Sequence, residues 1–455
     1  MKKITRRTII CVFLALILAF GAGVFTIQFL REGNTWAAYA ANEHLYHNGM
    51  LASGTIKDNS GVTLAEATDN GWIYHDNSTI RRATLHAVGD AQGKIGVGAI
   101  TAFADKLSGY NLITGARTLF PGGRQIWLTI DAELCSRTYD AMNGLNGCVG
   151  MYNYNTGEIL CMVSSPTFDP NHPEAVDEDD PDFQGVYLNR FLSSTFIPGS
   201  TFKLVTVNAA LNEIDDVMQR TFTCTGSQEI GNDTITCAAK HGEMNLQEAL
   251  TVSCNCVFGQ LAVELGSETM ERYAEACGLT DSYNIDGIPT AKSTFNFDTD
   301  DGYLAWSGVG QGYDMVNPCA LMIYTGAIAN NGQAAVPHLI SKVTTEDGLK
   351  LNLYYAKKTK ELIDPETATL VNQMMRDNVT LSYGSYNFSG LTVGAKTGTA
   401  ESDLSEKNNA WFTGFVQDEA HPYAFVVYLE GGGSGISAAM RVASAMLEKA
   451  IALGY

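Results

Sequence analysis

The first hydrophobic pattern along the chain is an unbroken one: residues 8–30 contain no charged side chain. At 1.5 Å per residue, about 22 helical residues reach about 33 Å, enough to cross the hydrocarbon core of a bilayer. Beyond it the pattern breaks into short pieces. Residues 37–124 are rich in Gly, Asn, Asp and Thr, with strand-like fragments at Gly54-Thr55-Ile56 and Val62-Thr63-Leu64. From Gln125 the apolar segments lengthen. Residues 126–131 predict a strand, and 132–145 have helix-forming composition. Residues 149–163 predict a hairpin turning at Asn155-Thr156-Gly157. Residues 411–415 and 423–429 predict two more strands, and 436–450 a largely apolar helix. Three units follow: a tail and membrane anchor (1–36), a small β-rich pedestal (37–124), and a larger unit (125–455). The larger unit is expected to hold a sheet built from both its ends, with helices between.

Charge orients the anchor and narrows the partners. Lys2, Lys3, Arg6 and Arg7 precede the apolar run, while Arg31 and Glu32 cancel after it. That asymmetry predicts a cytoplasmic N-terminus and an extracytoplasmic remainder. Ala38-Tyr39-Ala40 loosely resembles a signal-peptide processing site. The apolar run is longer than a usual signal core, however, and the expectation is an uncleaved anchor. The chain carries 29 basic and 49 acidic residues, a formal net charge of −20. That balance argues against a nucleic-acid partner and against broad adhesion to anionic lipid. Substrate contacts are expected to be local, in a cleft.

Ten cysteines in 455 residues are ordinary usage rather than a disulfide scaffold. Cys224 and Cys237 lie in a turn-rich stretch where a disulfide can pin a surface hairpin. A zinc site there with His241 lacks a second closely spaced ligand pair. Cys254 and Cys256 flank Asn255 and read as small packing residues, and Cys135, Cys148, Cys161, Cys277 and Cys319 as buried thiols. The acidic run from Glu174 to Asp182, broken by Pro173 and Pro181, reads as a solvated loop without regular calcium-ligand spacing.

Three short motifs carry chemistry. Pro198-Gly199 leads into Ser200-Thr201-Phe202-Lys203, the start of a helix whose apolar face continues through Leu204, Val207 and Ala210. Ser200 and Lys203 share that helix's face, so the lysine can take the hydroxyl proton and make the serine a nucleophile. Ser253-Cys254-Asn255 follows a helical stretch, 246–252. Its serine can relay a proton to a leaving amine, and its asparagine can orient Lys203 and hold a substrate backbone. Lys396-Thr397-Gly398-Thr399 reads as an edge strand with a bend. Lys396, Thr397 and Thr399 can bind a terminal carboxylate, and Gly398 gives room for a substrate close to the backbone. The amides of Ser200 and Thr399 can form an oxyanion hole. Each motif alone is unspecific, a surface helix start, a polar helix junction or a β-bend; their order together is not.

These motifs occur with Asn155-Thr156-Gly157-Glu158, Ser165-Pro166-Thr167-Phe168-Asp169-Pro170-Asn171, Gly308-Val309-Gly310-Gln311-Gly312, Ala329-Asn330-Asn331-Gly332 and Trp411-Phe412. Across about three quarters of its length the chain resembles the transpeptidase domain of class B penicillin-binding proteins. The resemblance implies an α/β (α+β) fold of the penicillin-binding transpeptidase and serine β-lactamase type, a central antiparallel sheet flanked by helices. It implies Ser200 as acylated nucleophile, Lys203 as base, Ser253 and Asn255 as shuttle and clamp, and Lys396, Thr397, Gly398 and Thr399 as substrate-binding strand. The implied donor is a peptidoglycan stem peptide ending in D-alanyl-D-alanine, and the implied acceptor is an amine. β-Lactams would acylate Ser200, and no cofactor or metal is required. A membrane-embedded glycan polymerase is the implied partner. The short pedestal and the cysteines near Cys224 and Cys237 resemble a compact Gram-positive subgroup. Residue 395 departs from the pattern, being alanine where many relatives have glycine.

Other readings differ in testable ways. A bifunctional enzyme needs a glycosyltransferase domain ahead of residue 125, where there is no room for one. A D,D-carboxypeptidase uses the same residues with water as acceptor, and the motifs leave that open. A β-lactamase needs a further carboxylate motif between Asn255 and Lys396, and none stands out. A penicillin sensor or silent scaffold would have more membrane segments or a missing catalytic residue.

Overall fold

The computed structural model describes residues 2–37, 45–47, 49–109, 123–352, 354–401 and 407–455. An α-helix spans Lys2–Ala37, and its portion Arg7–Gly33 is long and apolar enough to cross a membrane. Among the described residues it is the one helix of that kind, and its most apolar stretch is buried against nothing else in the protein. The resembling processing site at 38–40 lies outside the described residues.

The catalytic sheet has five strands in the order Val393–Ala400, Asn409–Val416, Tyr423–Leu429, Gly147–Asn153 and Ile159–Ser165, every neighbouring pair antiparallel. The hairpin and both C-terminal strands lie where the apolar runs predict them, so the sheet does join the two ends of the unit. Helix Pro318–Ala329, buried at all twelve positions, packs on this sheet. Met440–Leu453 and Ala132–Met142 pack on it as well. Covered in this way, strand Tyr423–Leu429 is buried at every residue, which explains why it reads as a continuous apolar run rather than an alternating one.

The strand at Arg124–Leu128 corrects one expectation. It does not join the catalytic sheet; it pairs parallel with Thr55–Lys57 and antiparallel with Ile340–Thr345. A second five-stranded sheet results, in the order Ile340–Thr345, Arg124–Leu128, Thr55–Lys57, Thr63–Thr68 and Gly71–Tyr74. An apolar run identifies a buried strand but carries no information about its partner. The pedestal strands are thus stitched to the rest of the chain from two directions.

A helix completes the junction. Asn77 caps Ser78–Val88 through its side-chain oxygen, which accepts the amides of Thr79 and Ile80. The helix packs on Ala132–Met142 and Ile159–Ser165. Its Arg81 makes a two-pronged ion pair with Asp169, Nε to Oδ1 at 2.7 Å and Nη2 to Oδ2 at 2.6 Å. The guanidinium holds the Asp169 carboxyl below its ordinary value.

Candidate active site

Pro198 leads into a 3-10 turn, Gly199–Thr201, which runs directly into the α-helix Lys203–Glu213. The expected helix start is therefore tightened, with Ser200 in the 3-10 turn and Lys203 at the first α-helical position. Backbone closeness explains the glycines around it. Gly199 has φ +54°, and a Cβ there would lie 2.6 Å from the Thr399 carbonyl oxygen. Its amide donates to Gly310 O at 2.8 Å. Gly398 faces the same turn: a Cβ on it would lie 2.9 Å from Pro198 O and from Thr201 Cγ2. Gly398 thus makes room for the protein's own serine turn, where the sequence suggested room for a substrate.

Lys203 is the hub. Its Nζ lies 3.0 Å from Ser200 Oγ, 3.2 Å from Ser253 Oγ, 2.7 Å from Ser253 O and 2.7 Å from Asn255 Oδ1. From the other side, Lys396 Nζ lies 3.0 Å from the same Ser253 Oγ and 3.0 Å from Thr397 O. Both lysine side chains are fully buried. Burial pushes Lys203 down to about 7, where the neutral amine is accessible near neutral pH. Burial, and then the charge of Lys203, hold Lys396 well below its ordinary value. A hydroxyl oxygen can accept two hydrogen bonds and donate one. With Ser253 Oγ receiving both lysines, its own hydrogen is left to be given to a third group.

The Ser253 turn connects helix Leu246–Thr251, which begins with a reciprocal cap between Asn245 and Glu248, to helix Asn255–Leu265. Ser253 has φ +57°, the left-handed region that serine seldom adopts. Asn255 Nδ2 donates to Thr236 O at 2.7 Å, which fixes the amide and leaves one of its two hydrogens for a substrate.

Among the described residues Val393–Ala400 is an edge strand, paired only with Asn409–Val416. Side chains meet polar groups on its open side. Asn378 Nδ2 donates to Ala395 O at 3.2 Å, Thr397 N donates to the Tyr383 hydroxyl at 3.2 Å, and Gln311 Nε2 donates to Thr399 O at 3.3 Å. The ladder's alternation sends the Thr399 amide to that same side. Tyr383 also bonds Thr397 Oγ1 at 3.2 Å. The alanine at 395 is accommodated across the ladder by Gly414, where a Cβ would come 3.0 Å from the Ala395 methyl.

Ser200, Ser253, Asn255, Thr397, Thr399 and Glu401 line a groove of about 550 Å³. Lys203 and Lys396 lie beneath it. The three motifs, scattered over nearly 200 residues of sequence, are brought to one place. Tyr383 and Asn378 escaped sequence reasoning because they belong to no short motif, and Gln311 entered it only within a longer matching stretch. Their contribution is one or two contacts each, made from outside the motif.

The five cysteines read as buried thiols are buried and free, but those beside the groove differ from expectation. All ten are free thiols, so Cys224 and Cys237 are not bridged. Cys254 is not simply a packing residue: its Sγ lies 3.7 Å from that of Cys237, and Cys256 Sγ lies 3.5 Å from it. The turn that carries Ser253 and Asn255 therefore rests against a group of thiols.

Comparison with known proteins places this geometry. Residues 147–448 match the family model of the penicillin binding protein transpeptidase domain. Over 348 residues the chain is 30% identical to peptidoglycan D,D-transpeptidase PbpA of Mycolicibacterium smegmatis, covering 70% of each chain. The D,D-transpeptidase domain of a peptidoglycan glycosyltransferase from Eggerthella lenta superposes with a TM-score of 0.74 at 25% identity, over 88% of this chain and 98% of that one. Penicillin-binding protein A of Mycobacterium tuberculosis, as a ceftriaxone acyl-enzyme complex, shares the fold with a TM-score of 0.75 at 24% identity and the same coverages. With more than half its length matched by the family model and its motifs converging in one groove, the chain belongs to the penicillin-binding protein transpeptidase family.

Proposed function

We propose that this serine D,D-transpeptidase cross-links peptidoglycan stem peptides through an ester on Ser200. The observation that carries the assignment of roles is Ser253 Oγ held between Lys203 Nζ and Lys396 Nζ, with Ser200 Oγ on the far side of Lys203. Ser200 Oγ attacks the carbonyl of the penultimate D-alanine, and neutral Lys203 takes its proton. The amides of Ser200 and Thr399 receive the oxyanion. The amide C–N bond breaks, and the proton reaches the leaving D-alanine through Ser253. The amine of a second stem peptide then attacks the ester, Ser200 regains its proton, and a new amide joins the two peptides. Lys396, Thr397 and Thr399 bind the donor carboxylate, and the free hydrogen of Asn255 Nδ2 holds the donor backbone. β-Lactams enter by the same attack and remain as the ester.

The helix at Lys2–Ala37 has the length and composition of a membrane anchor. Four basic residues ahead of it support a cytoplasmic N-terminus and an extracytoplasmic groove. The pedestal, whose helix Ser78–Val88 is tied to Asp169 through Arg81, supports docking against a membrane-embedded glycan polymerase.

The test incubates the protein with a donor ending in D-alanyl-D-alanine, with and without an amine acceptor, and follows products by mass spectrometry. Acylation of Ser200, loss of D-alanine and a cross-linked product are expected, and S200A should form no ester. An ester that is only hydrolysed when amine is present overturns the transferase in favour of a carboxypeptidase. Failure to trap any ester on Ser200 overturns the mechanism.

A further inference from the structure

Four side chains beside the groove come from four separate elements. Cys224 ends the strand Phe222–Cys224, and Cys237 directly follows the strand Asp233–Thr236. His241 directly precedes the strand Gly242–Met244, and Cys254 is the N-cap of helix Asn255–Leu265. The fold brings one ligand atom from each to within 4.8 Å of all the others. We propose that Cys224, Cys237, His241 and Cys254 form a structural site for a soft divalent cation, zinc foremost, that clamps the Ser253–Asn255 turn to the neighbouring strands.

The donor set selects the metal. Three thiols and an imidazole, with no carboxylate among them, suit zinc rather than calcium or magnesium. Four protein ligands make a closed site of the structural kind, with no position left for substrate or water. The reaction at Ser200 accordingly needs nothing from it. Geometry is close to what such a site demands. With Zn–S bonds of about 2.3 Å, two sulfurs of a tetrahedron stand about 3.8 Å apart. The Cys237 and Cys254 sulfurs are 3.7 Å apart.

Two features of the surroundings suit a bound metal. His241 Nδ1 is buried and has no hydrogen-bond partner among the described residues, an unusual state for a buried ring nitrogen. Cys237 Sγ accepts the amides of Asn255 at 3.1 Å and Cys256 at 3.4 Å, at a helix N-terminus that favours thiolate over thiol. Cys256 itself lies outside the set, its thiol turned 3.7 Å from Ile235 O. The ligand Cys254 stands between Ser253 and Asn255. A metal there would hold the left-handed Ser253 conformation from one side while Lys203 holds it from the other.

The site stands independently of the acyl-transfer reading, because its first readout is metal content. The full chain, solubilised in detergent and kept reduced under anaerobic conditions, is expected to retain about one zinc per chain through desalting, measured by mass spectrometry of the metal. Cobalt(II) added to the chelator-treated protein should give thiolate-to-metal charge-transfer absorption and the intense visible bands of a tetrahedral site. His241→Ala and Cys224→Ser should each weaken zinc binding by more than the ~10–100-fold that loss of an outer partner costs. Cys277→Ser, at a buried thiol away from the four ligands, should keep full occupancy. Reduced wild-type protein that retains no metal and gives no cobalt bands overturns the proposal without any variant. So does protein isolated directly from membranes with Cys237 and Cys254 joined in a disulfide-linked peptide.

Discussion

The two walls of the groove hold their reacting groups by different physics. On the wall that carries Ser200 and the Lys396 strand, backbone lies against backbone. Gly199 touches Thr399, Gly398 touches Pro198, and the strand is completed by eight residues of ladder pairing with Asn409–Val416. On the wall that carries Ser253 and Asn255, the turn is held by side-chain atoms: Lys203 Nζ on Ser253 O, Asn255 Nδ2 on Thr236 O, and the Cys237 sulfur under the Asn255 amide. The first wall cannot change without moving main chain. The second can be tuned by what occupies its polar and thiol contacts, which makes it the place where ligation or oxidation would act on the enzyme.

Lys203 and Lys396 both reach Ser253 from the other wall, but Lys203 also reaches Ser200, so removing it should have the largest effect. Lys203→Met keeps an apolar stem in the same space but takes away the base and the contacts to Ser200, Ser253 and Asn255. Acylation by a fluorescent penicillin is expected to slow by about 10²–10⁴-fold, the range for a positioned general base. A loss of less than about tenfold would assign the base to another group.

Gly199→Ala tests the backbone wall alone. The new methyl must enter at φ +54° and within 2.6 Å of Thr399 O, where neither atom has a flexible end to yield. Overpacking of this kind costs about 1–3 kcal/mol, which thermal denaturation would read directly. Displacement of Ser200 by about an ångström should slow acylation by about 10²-fold. An unchanged melting temperature together with normal acylation would show that this wall is as yielding as the other.

How much of this was legible before the fold was known differs between the walls in the same way. Ser200 and Lys203 are neighbours on one helical turn, and Lys396 to Thr399 are consecutive on one strand, so local spacing carries their geometry. The turn at Ser253 was recognisable as a motif, but its supports were not. Cys224, Cys237 and His241 share one turn-rich stretch and could be grouped from it, but Cys254 lies beyond the next helix, and spacing alone does not join it to them. Tyr383 and Asn378 reach the Lys396 strand from a segment with no periodic tie to it. The strand Arg124–Leu128 was visible as apolar, while its pairing with Thr55–Lys57 depends on long-range closure that hydrophobicity does not encode. Gly398 shows the same limit: a glycine in a strand announces a close approach but not by whom.

The buried lysines make the connection between the walls sensitive to pH. With neutral Lys203 as the proposed base, the acylation rate should rise with pH and level off above a midpoint of about 7. At pH 6 the rate is expected to be about tenfold below the plateau, since one pH unit is a factor of ten in the neutral fraction. Stability moves in the same direction. The folded value lies below the ordinary 10.5, so the unfolded chain binds more protons between about 7 and 10.5. Stability therefore rises with pH across that window, and the penalty for burying the charge is fully present below it. Lys396, shifted in the same direction, adds to the slope. Denaturant titrations of wild type and Lys203→Met at several pH values should give a smaller slope for the variant. An equal slope would mean that Lys203 is as easily charged in the folded protein as in water.

The smallest effect is expected where the backbone wall borrows a side chain. Tyr383 gives its hydroxyl to the open edge of the Lys396 strand, accepting the Thr397 amide and bonding the Thr397 hydroxyl, both at 3.2 Å. Its ring packs edge-on against Phe412. Tyr383→Phe keeps that packing and removes only the hydroxyl. The Thr397 amide then faces the groove, where water can replace the lost partner, so the cost should be about 1 kcal/mol, or about fivefold. Because Thr397 lies on the strand proposed to hold the donor carboxylate, the loss should appear as a higher KM for a D-alanyl-D-alanine donor, with kcat and melting temperature little changed. A fall in kcat with KM unchanged would instead place Tyr383 in the transition state, and the open edge of the strand would then be part of the chemistry rather than a surface that positions it.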